Sequence, residues 1–255
     1  MLEKFLVPIY LPRWLHRTAV TVKRAIYPPR PLVSEQPGPN IRGERDVEWS
    51  FISEEMPRGS GEALEFGCEF GYLSFIAARK GYHVTALDLE PQDFLWNHPN
   101  VHFLQGDILK AALPQKFFDV IINCSSVEHV GVPGRYGITE AHADADIEVM
   151  RRFADLLKPE GLLLMTAPCG RDAILAPWCR VYGQDRLSKL FAPFRVEKDA
   201  YWIKNGRNQW TSCDMREALA FEPVLHPTDP QRCAYALGCF VLRLVASMEH
   251  PQGSI

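Results

Sequence analysis

Short apolar segments alternate with amphipathic segments through the middle of this chain. The apolar segments predict strands at 62–66, 83–88, 101–105, 118–123 and 161–167. Apolar residues that recur at helical spacing predict helices at 71–80 and 140–157. Strands separated by helices pair in parallel, with helices on both faces of the sheet. The pattern therefore predicts an α/β, doubly wound fold.

The ends of the chain follow a different pattern. Residues 1–30 hold six basic residues and one acid at amphipathic helical spacing, and 28–40 contains five prolines. We expect 1–57 to be a helical extension with a proline-rich connector, in which 1–30 packs as a lid over the substrate mouth or, as the less favoured alternative, lies on a membrane surface. The folded domain is expected at 58–247, and 248–255 is expected to be a disordered tail.

The last third of that domain is expected to add three elements. The pattern predicts a helix at 184–191 and strands at 194–203 and 234–246. Ahead of the first strand, 47–56 is predicted to be a short helix.

Composition excludes several classes of protein. The net charge of −3 argues against a mainly electrostatic nucleic-acid binder. The seven cysteines form no C-x-x-C pair and no zinc spacing, which indicates reduced thiols in a cytoplasmic protein. The N-terminal apolar run is too short to cross a membrane and lacks a secretory cleavage site, so we expect no transmembrane segment. A homodimer is compatible with the sequence.

The turn after the first strand carries the main chemical signal. Gly67 lets the backbone turn sharply, Gly71 precedes a helix, and Asp88 ends the next strand about 20 residues on, where an acid can bind ribose hydroxyls. A dinucleotide site needs G-x-G-x-x-G, but Glu69 fills the middle glycine position. Because a carboxylate there repels pyrophosphate and tolerates a cation, the turn favours a nucleoside cofactor with positive charge.

The acid-x-Gly-x-x-x-Gly spacing from Glu65 resembles the cofactor loop of class I methyltransferases that use S-adenosylmethionine (SAM), with Glu69 as the departure. Three later segments resemble this family in the same order: NVHFLQGDIL, FFDVIINCSSVEHVG and FADLLKPEGLLLMTAP. The resemblance is to type 11-like members. The segments 131–146 and 88–100 together are similar to small-molecule and sugar methyltransferases of bacterial polysaccharide and natural-product pathways. It implies a Rossmann-like, mostly parallel seven-stranded sheet with an antiparallel C-terminal edge hairpin.

The resemblance also assigns the cofactor site. Glu65 and Gly67 would border the methionine moiety, Asp88 the ribose and Leu89 the adenine face. Asp107 would accept from the adenine amino group, with Ile108 below it. The remaining expected cofactor-binding residues are Cys68, Gly71 and Asn123. An alternative remains open, in which Asp88 and Asp107 only cap the segments that follow them.

Methyl transfer to a hydroxyl also requires removal of a proton. His129 is the best candidate for the base and Glu128 a weaker one, although the pair could instead only brace the loop. The acceptor is expected to contact Arg135, Tyr136, Trp178, Tyr182 and Trp202. A divalent metal at His142, Asp144 and Asp146 is less favoured than helix capping by the two acids, so no metal is expected.

We therefore expect a SAM-dependent methyltransferase that acts on a small molecule, at an oxygen of a sugar or natural-product intermediate, and releases S-adenosylhomocysteine (SAH). The main alternative is a SAM-binding regulatory or partner subunit without activity, which Glu69 and the uncertain base would favour. A nicotinamide oxidoreductase is disfavoured because the third fingerprint glycine is absent.

Overall fold

Ten strands and five α-helices form in the part of the chain that the structure, a computed structural model, describes: residues 43–224, 226 and 233–245. The helices are α1 (Glu44–Glu55), α2 (Tyr72–Lys80), α3 (Ala145–Leu156), α4 (Gln184–Leu190) and α5 (Met215–Ala220). The strands are β1 (Glu62–Phe66), β2 (His83–Asp88), β3 (Val101–Gln105), β4 (Phe118–Cys124), β5 (Leu157–Cys169), β6 (Ala173–Leu175), β7 (Cys179–Val181), β8 (Phe194–Lys204), β9 (Trp210–Cys213) and β10 (Ala236–Leu244). A 3-10 turn, Val127–His129, follows β4.

The main sheet has the order β3-β2-β1-β4-β5-β10-β8-β9. Its first five strands are parallel, and β10, β8 and β9 add in antiparallel pairs. The doubly wound, mostly parallel sheet and its antiparallel C-terminal side are thus confirmed. The sheet has eight strands where seven were expected, because β9 pairs at the edge beyond β8. With the sequence WTSC, β9 has no apolar run that would have predicted a strand.

Two boundaries differ from the sequence pattern. The predicted helix 140–157 begins only at Ala145, because 140–144 forms bends and turns in which the His142 amide donates to the Gly131 carbonyl at 2.9 Å. The predicted strand 161–167 extends over Leu157–Cys169, since β4 pairs with Leu157 at its start and β10 pairs with it as far as Cys169. The short hairpin of β6 and β7 and the helix α5 had no sequence signal of their own.

Helices bury apolar residues against both faces of the sheet. On one face α3 packs Met150 and Phe153, which are fully buried, and Phe153 meets Phe66 of β1 edge-on at 5.5 Å. On the other face α1 and α2 pack Ile52 and Leu73 against β1 and β4. The two layers hold the parallel strands in register, so that their carboxyl ends open at one edge.

The N-terminal extension is described only from Gly43 onward. Its helix α1 packs against α2 and the sheet, while 1–42, and with it the predicted lid or membrane segment, lies outside the described residues. The predicted tail 248–255 lies outside them as well. In the described ranges, no helix combines the length and the apolar character that crossing a bilayer requires.

Substitution of Phe153 by Ala tests the core. Removing a fully buried ring leaves a cavity under β1, and we expect the free energy of unfolding to fall by about 3–5 kcal/mol in a urea titration. Phe70→Ala is the matched control, because its ring is 70% exposed and its removal should cost under about 1 kcal/mol. Equal losses in the two variants would argue against this packing.

Candidate functional site

A cavity of about 1070 Å³ opens at the carboxyl ends of the parallel strands. Since small-ligand sites typically occupy roughly 300–1,000 Å³, the cavity has room for two molecules side by side. Twelve of the residues expected at the site line it: Glu65, Gly67, Cys68, Asp88, Leu89, Asp107, Ile108, Glu128, His129, Arg135, Tyr136 and Trp178. Four others lie outside its lining: Gly71, Asn123, Tyr182 and Trp202.

The turn after β1 keeps the backbone of a glycine loop although it contains Glu69. Gly67 has φ +69°, and a Cβ there would collide with the Ser126 side chain. Glu69 has φ +41°, in the left-handed region that favours glycine, and its side chain points to solvent. Gly71, at φ +66°, precedes α2 and packs against Phe94 and Trp96, which explains its position outside the cavity.

Asp88 holds the rim of the cavity together. Its Oδ2 accepts a hydrogen bond from the amide of Glu69 at 3.0 Å, and its Oδ1 accepts from the amide of Glu90 at 3.1 Å. A carboxylate offers about four acceptor positions, so two remain for a ligand. Capping and ligand binding are therefore compatible at this residue.

Asp107 is arranged in the same way on the loop after β3. Its Oδ1 accepts from the amide of Leu109 at 3.0 Å, and its Oδ2 lies 3.1 Å from Lys110 Nζ. Ile108 beside it is buried, and Leu89 faces the cavity with 46% of its surface exposed. An acidic group and two apolar side chains thus line the same cavity, which suits a flat heterocycle with a hydrogen-bond donor.

Glu65 is buried beneath the turn. Ser74 of α2 donates a hydrogen bond to its Oε2. Burial raises the pKa of Glu65 to about 8, with a contribution from the neighbouring Asp88, although the Ser74 hydrogen bonds act in the opposite direction. Without a ligand, this carboxyl is mainly protonated at neutral pH.

The loop after β4 is braced by Asn123, which is fully buried behind the cavity wall. Its Oδ1 accepts from the amide of Val127 at 3.0 Å, and its Nδ2 has no partner among the described residues. The brace fixes the 3-10 turn that carries Glu128 and His129. Asn123 thus positions the loop rather than lining the cavity.

His129 presents one ring nitrogen to the cavity as an acceptor. Its Nδ1 lies 2.6 Å from the carbonyl oxygen of Trp178, and because a carbonyl only accepts, Nδ1 carries the proton and Nε2 the lone pair. Burial lowers the pKa of His129 to about 4, and the positive charges of Arg135 and Arg45 act in the same direction. The ring is therefore neutral at physiological pH.

Glu128 precedes it and is 1% exposed. Burial raises its pKa well above the ordinary value of a glutamate. Its Oε1 lies 4.0 Å from His129 Nε2, which is longer than a hydrogen bond. Both residues therefore line the cavity, but their side chains do not form a hydrogen bond with each other.

Arg135 lies near two aromatic rings, those of Tyr136 and Trp178, in the part of the cavity next to His129. Its guanidinium lies 4.7 Å from the ring centre of Tyr136 and 5.8 Å from that of Trp178. Trp178 is held by its Nε1, which donates to the carbonyl of His226 at 3.0 Å. Tyr182, by contrast, is part of the core and Trp202 packs beside α1 and β10.

Sequence reasoning did not identify the contribution of α1. Glu44, Arg45 and Trp49 line the cavity, and Tyr235 donates to Glu44 Oε2 at 3.2 Å. Burial raises the pKa of Glu44 to about 7. The sequence held one sign of this contribution. Glu44 lies on the same helical face as the buried Ile52, where an acid is unusual.

The same helix ties the loop after β4 to β5 through Glu48. This fully buried carboxylate pairs with Arg45 at 2.6 Å and accepts from Thr166 at 2.8 Å and from Ser125. These bonds give the buried carboxylate of Glu48 its hydrogen-bond partners, and Glu48 itself does not line the cavity.

Asp144 and Asp146, considered as metal ligands or helix caps, are paired with arginines. Arg186 binds Asp144 at 2.9 Å and also Asp146, and Arg180 lies 3.8 Å from Asp146. Asp144 lies at the N-cap position of α3, as expected, but its side chain pairs with Arg186 and makes no capping hydrogen bond. In the described part of the chain, His, Cys, Asp and Glu form no group of three or more that could hold a metal.

Comparison with known proteins gives consistent matches. The sequence model of a family described as "Methyltransferase domain" matches residues 44–216. A ubiquinone biosynthesis O-methyltransferase of Xylella fastidiosa is 34% identical over 131 residues, 47% of this chain and 47% of that protein. One of Caulobacter is 28% identical over 173 residues, 63% of this chain and 58% of that protein. The chain spans about half the length of the curated relatives it matches.

A solved structure resembles the whole fold. The 1,6-didemethyltoxoflavin-N1-methyltransferase of Burkholderia thailandensis, with SAH and its substrate bound, has a TM-score of 0.52 and covers 94% of this chain and 92% of its own. At 14% identity the likeness shows the fold alone.

The raised pKa of Glu65 predicts how stability depends on pH. A carboxyl whose pKa is higher in the folded state stabilises that state at low pH, and the contribution is lost as pH rises from 4.5 to about 8. Glu65→Gln should therefore flatten the fall in the free energy of unfolding over that interval, by a few kcal/mol, in denaturant titrations at several pH values. If the variant and the wild type show parallel curves, Glu65 is not the group responsible.

Proposed function

This chain belongs to the methyltransferase domain family, and from that membership and the cavity we propose that it transfers a methyl group from SAM to an oxygen of a small molecule, a sugar or natural-product intermediate. The observation that carries the proposal is that Asp88, whose carboxylate accepts a hydrogen bond from the turn after β1, and the neutral ring of His129 line the same cavity. The names of the two curated relatives, both O-methyltransferases, support oxygen as the methylated atom.

The charge of the cavity fits a cationic cofactor. Its acidic lining residues are Glu44, Glu65, Glu69, Asp88, Glu90, Asp107, Glu128, Glu140 and Glu148. Its Lys and Arg residues are Arg45, Lys110 and Arg135. Even without Glu44, Glu65 and Glu128, whose pKa values burial raises, six acids against three cations attract a positive ligand and oppose a pyrophosphate. SAM, when bound, supplies a methyl group activated by a sulfonium.

The turn after β1 and the loop after β3 are proposed to bind different parts of the cofactor. Gly67 lines the cavity together with the buried Glu65 and Cys68, at the proposed methionine end. Asp88 has two acceptor positions for ribose hydroxyls. Leu89, Asp107 and Ile108 form the proposed adenine pocket.

His129 is the proposed base. Its Nε2 holds the lone pair because Nδ1 is committed to the Trp178 carbonyl, and its low pKa keeps it unprotonated at neutral pH. The adjacent Arg135 would favour negative charge on the acceptor oxygen as its proton leaves. Tyr136 and Trp178 offer ring faces to a sugar or an aromatic acceptor.

The compartment of the proposed reaction is the cytoplasm. All seven cysteines are free, and six of them are buried. Unpaired thiols are typical of proteins kept in a reducing compartment.

Asp88→Ala tests the cofactor site. Loss of the carboxylate removes the proposed bonds to ribose hydroxyls, and we expect SAH to bind at least about tenfold more weakly by isothermal titration calorimetry. Asp93→Ala is the matched control, since Asp93 is exposed and outside the cavity. Circular dichroism must show both variants folded. Equal SAH affinity in the two variants would remove Asp88 from the site.

His129→Ala tests the base. We expect the rate of SAH formation with a panel of hydroxylated small molecules to fall about 10²- to 10⁴-fold at unchanged SAH affinity. In the wild type, the base form is present above a pKa of about 4, so activity should be lost on acidification near pH 4 rather than near 6.5. Near-normal turnover by the variant would reduce His129 to a brace of the loop.

A further inference from the structure

Glu128 is a buried acid that lines the cavity and has an unpartnered oxygen in the part of the chain that the structure describes. The side chain is 1% exposed, its residue lines the cavity, and its Oε2 has no hydrogen-bond partner among the described residues. The great majority of buried polar atoms in proteins have a hydrogen-bond partner, and leaving one without a partner costs free energy. An unsatisfied carboxyl on a residue that lines a cavity points to a ligand group that completes it.

Within the ranges that the structure describes, no other residue makes a hydrogen bond to the Glu128 carboxyl. The 3-10 turn that carries it is held by other groups, since Asn123 Oδ1 accepts from the Val127 amide at 3.0 Å and the His129 amide donates to the Ser126 carbonyl at 3.1 Å. The turn therefore does not need the Glu128 carboxyl to keep its shape.

The nearby cations have other partners. Arg45 binds Glu48 at 2.6 Å, and Arg180 donates to the carbonyls of Val130 and His142 and lies 3.8 Å from Asp146. His129 is 4.0 Å away and neutral at physiological pH. Burial, together with the neighbouring Glu48 and Glu44, raises the pKa of Glu128 well above the ordinary value of a glutamate, and a carboxyl in its protonated form can both donate and accept a hydrogen bond.

We infer that Glu128 binds the polar group next to the methylated oxygen, so that the acceptor is a molecule with two adjacent polar groups, a vicinal diol or a 1,2-amino alcohol. The inference rests on the proposed function. His129 Nε2 and Glu128 Oε1 are 4.0 Å apart, and polar atoms on neighbouring carbons are close enough to reach both side chains at once. One hydroxyl would meet His129 while its neighbour, an O–H or N–H donor, meets Glu128.

This arrangement makes Glu128 a residue of acceptor specificity. An acceptor with one isolated hydroxyl would leave the buried carboxyl unpaired, and sites built for a hydrogen bond discriminate strongly against analogues that lack it. The choice of which of two adjacent hydroxyls is methylated would follow from which one faces His129.

The experiment compares three probes of the same ring size: trans-cyclohexane-1,2-diol, trans-2-aminocyclohexanol and cyclohexanol. Their affinities for the SAH-loaded protein are measured by ligand-observed NMR. We expect the diol or the amino alcohol to bind about tenfold more tightly than cyclohexanol, in line with one hydrogen bond to a buried carboxyl. Glu128→Ala should abolish the preference. Glu54→Gln, an exposed carboxyl on α1 outside the cavity, should retain it.

The remaining variants separate the two acceptor classes. Glu128→Gln should keep a preference for the diol, because an amide also donates and accepts, and should lose one for the amino alcohol, whose ammonium group would bind the carboxyl in its ionised form, which an amide cannot adopt. If Glu128→Ala does not fold, Glu128→Leu, which fills the same space, carries the test. Equal affinity of the wild type for all three probes, or a preference that survives in the Ala or Leu variant, overturns the inference. Failure of the wild type to bind SAH contradicts the proposed function instead.

Discussion

The close contact between the turn after β1 and the loop after β4 is the constraint on which the site depends. β1 and β4 are parallel neighbours in which Phe66 pairs with Asn123, so both connections leave the sheet at the same edge. Gly67 can face Ser126 there only because it has no side chain. Because of this contact, Asp88, at the proposed cofactor site, and His129 line the same cavity. A substitution at Gly67 would therefore disturb both halves of the site.

Asp88 offsets the strain that this turn carries. Glu69 adopts a left-handed backbone that costs a non-glycine residue about 1–3 kcal/mol, and the Asp88 carboxylate accepts the Glu69 amide at 3.0 Å. The residue that would bind the ribose thus also holds the loop in the shape that binding requires. This dual role explains how Glu69 replaces a glycine without loss of the loop geometry. The carboxylate of Glu69 remains in solvent, where it adds to the negative charge around the cavity.

The fold could be predicted from the sequence where apolar periodicity was strong. The bounds of β1, β2 and β3 match the pattern, because each is a short apolar run that ends at a turn residue. The strand β9 could not be found, since a polar edge strand is stabilised by its partner β8 and not by its own residues. In the site, motif order placed Asp88 and His129 in one cavity. The arginine pairs of Asp144 and Asp146 depend on Arg186, 40 residues away, and only the tertiary structure brings them together.

The central claim is methyl transfer, and the most direct test follows the methyl group itself. The protein is incubated with SAM that carries a ¹³C-labelled methyl group and with a pool of hydroxylated small molecules, and the products are analysed by mass spectrometry. The account predicts that the label appears in an acceptor while SAH forms in equal amount. Recovery of bound SAM with its labelled methyl group intact, across the whole pool, would contradict it and would favour a SAM-binding protein without activity.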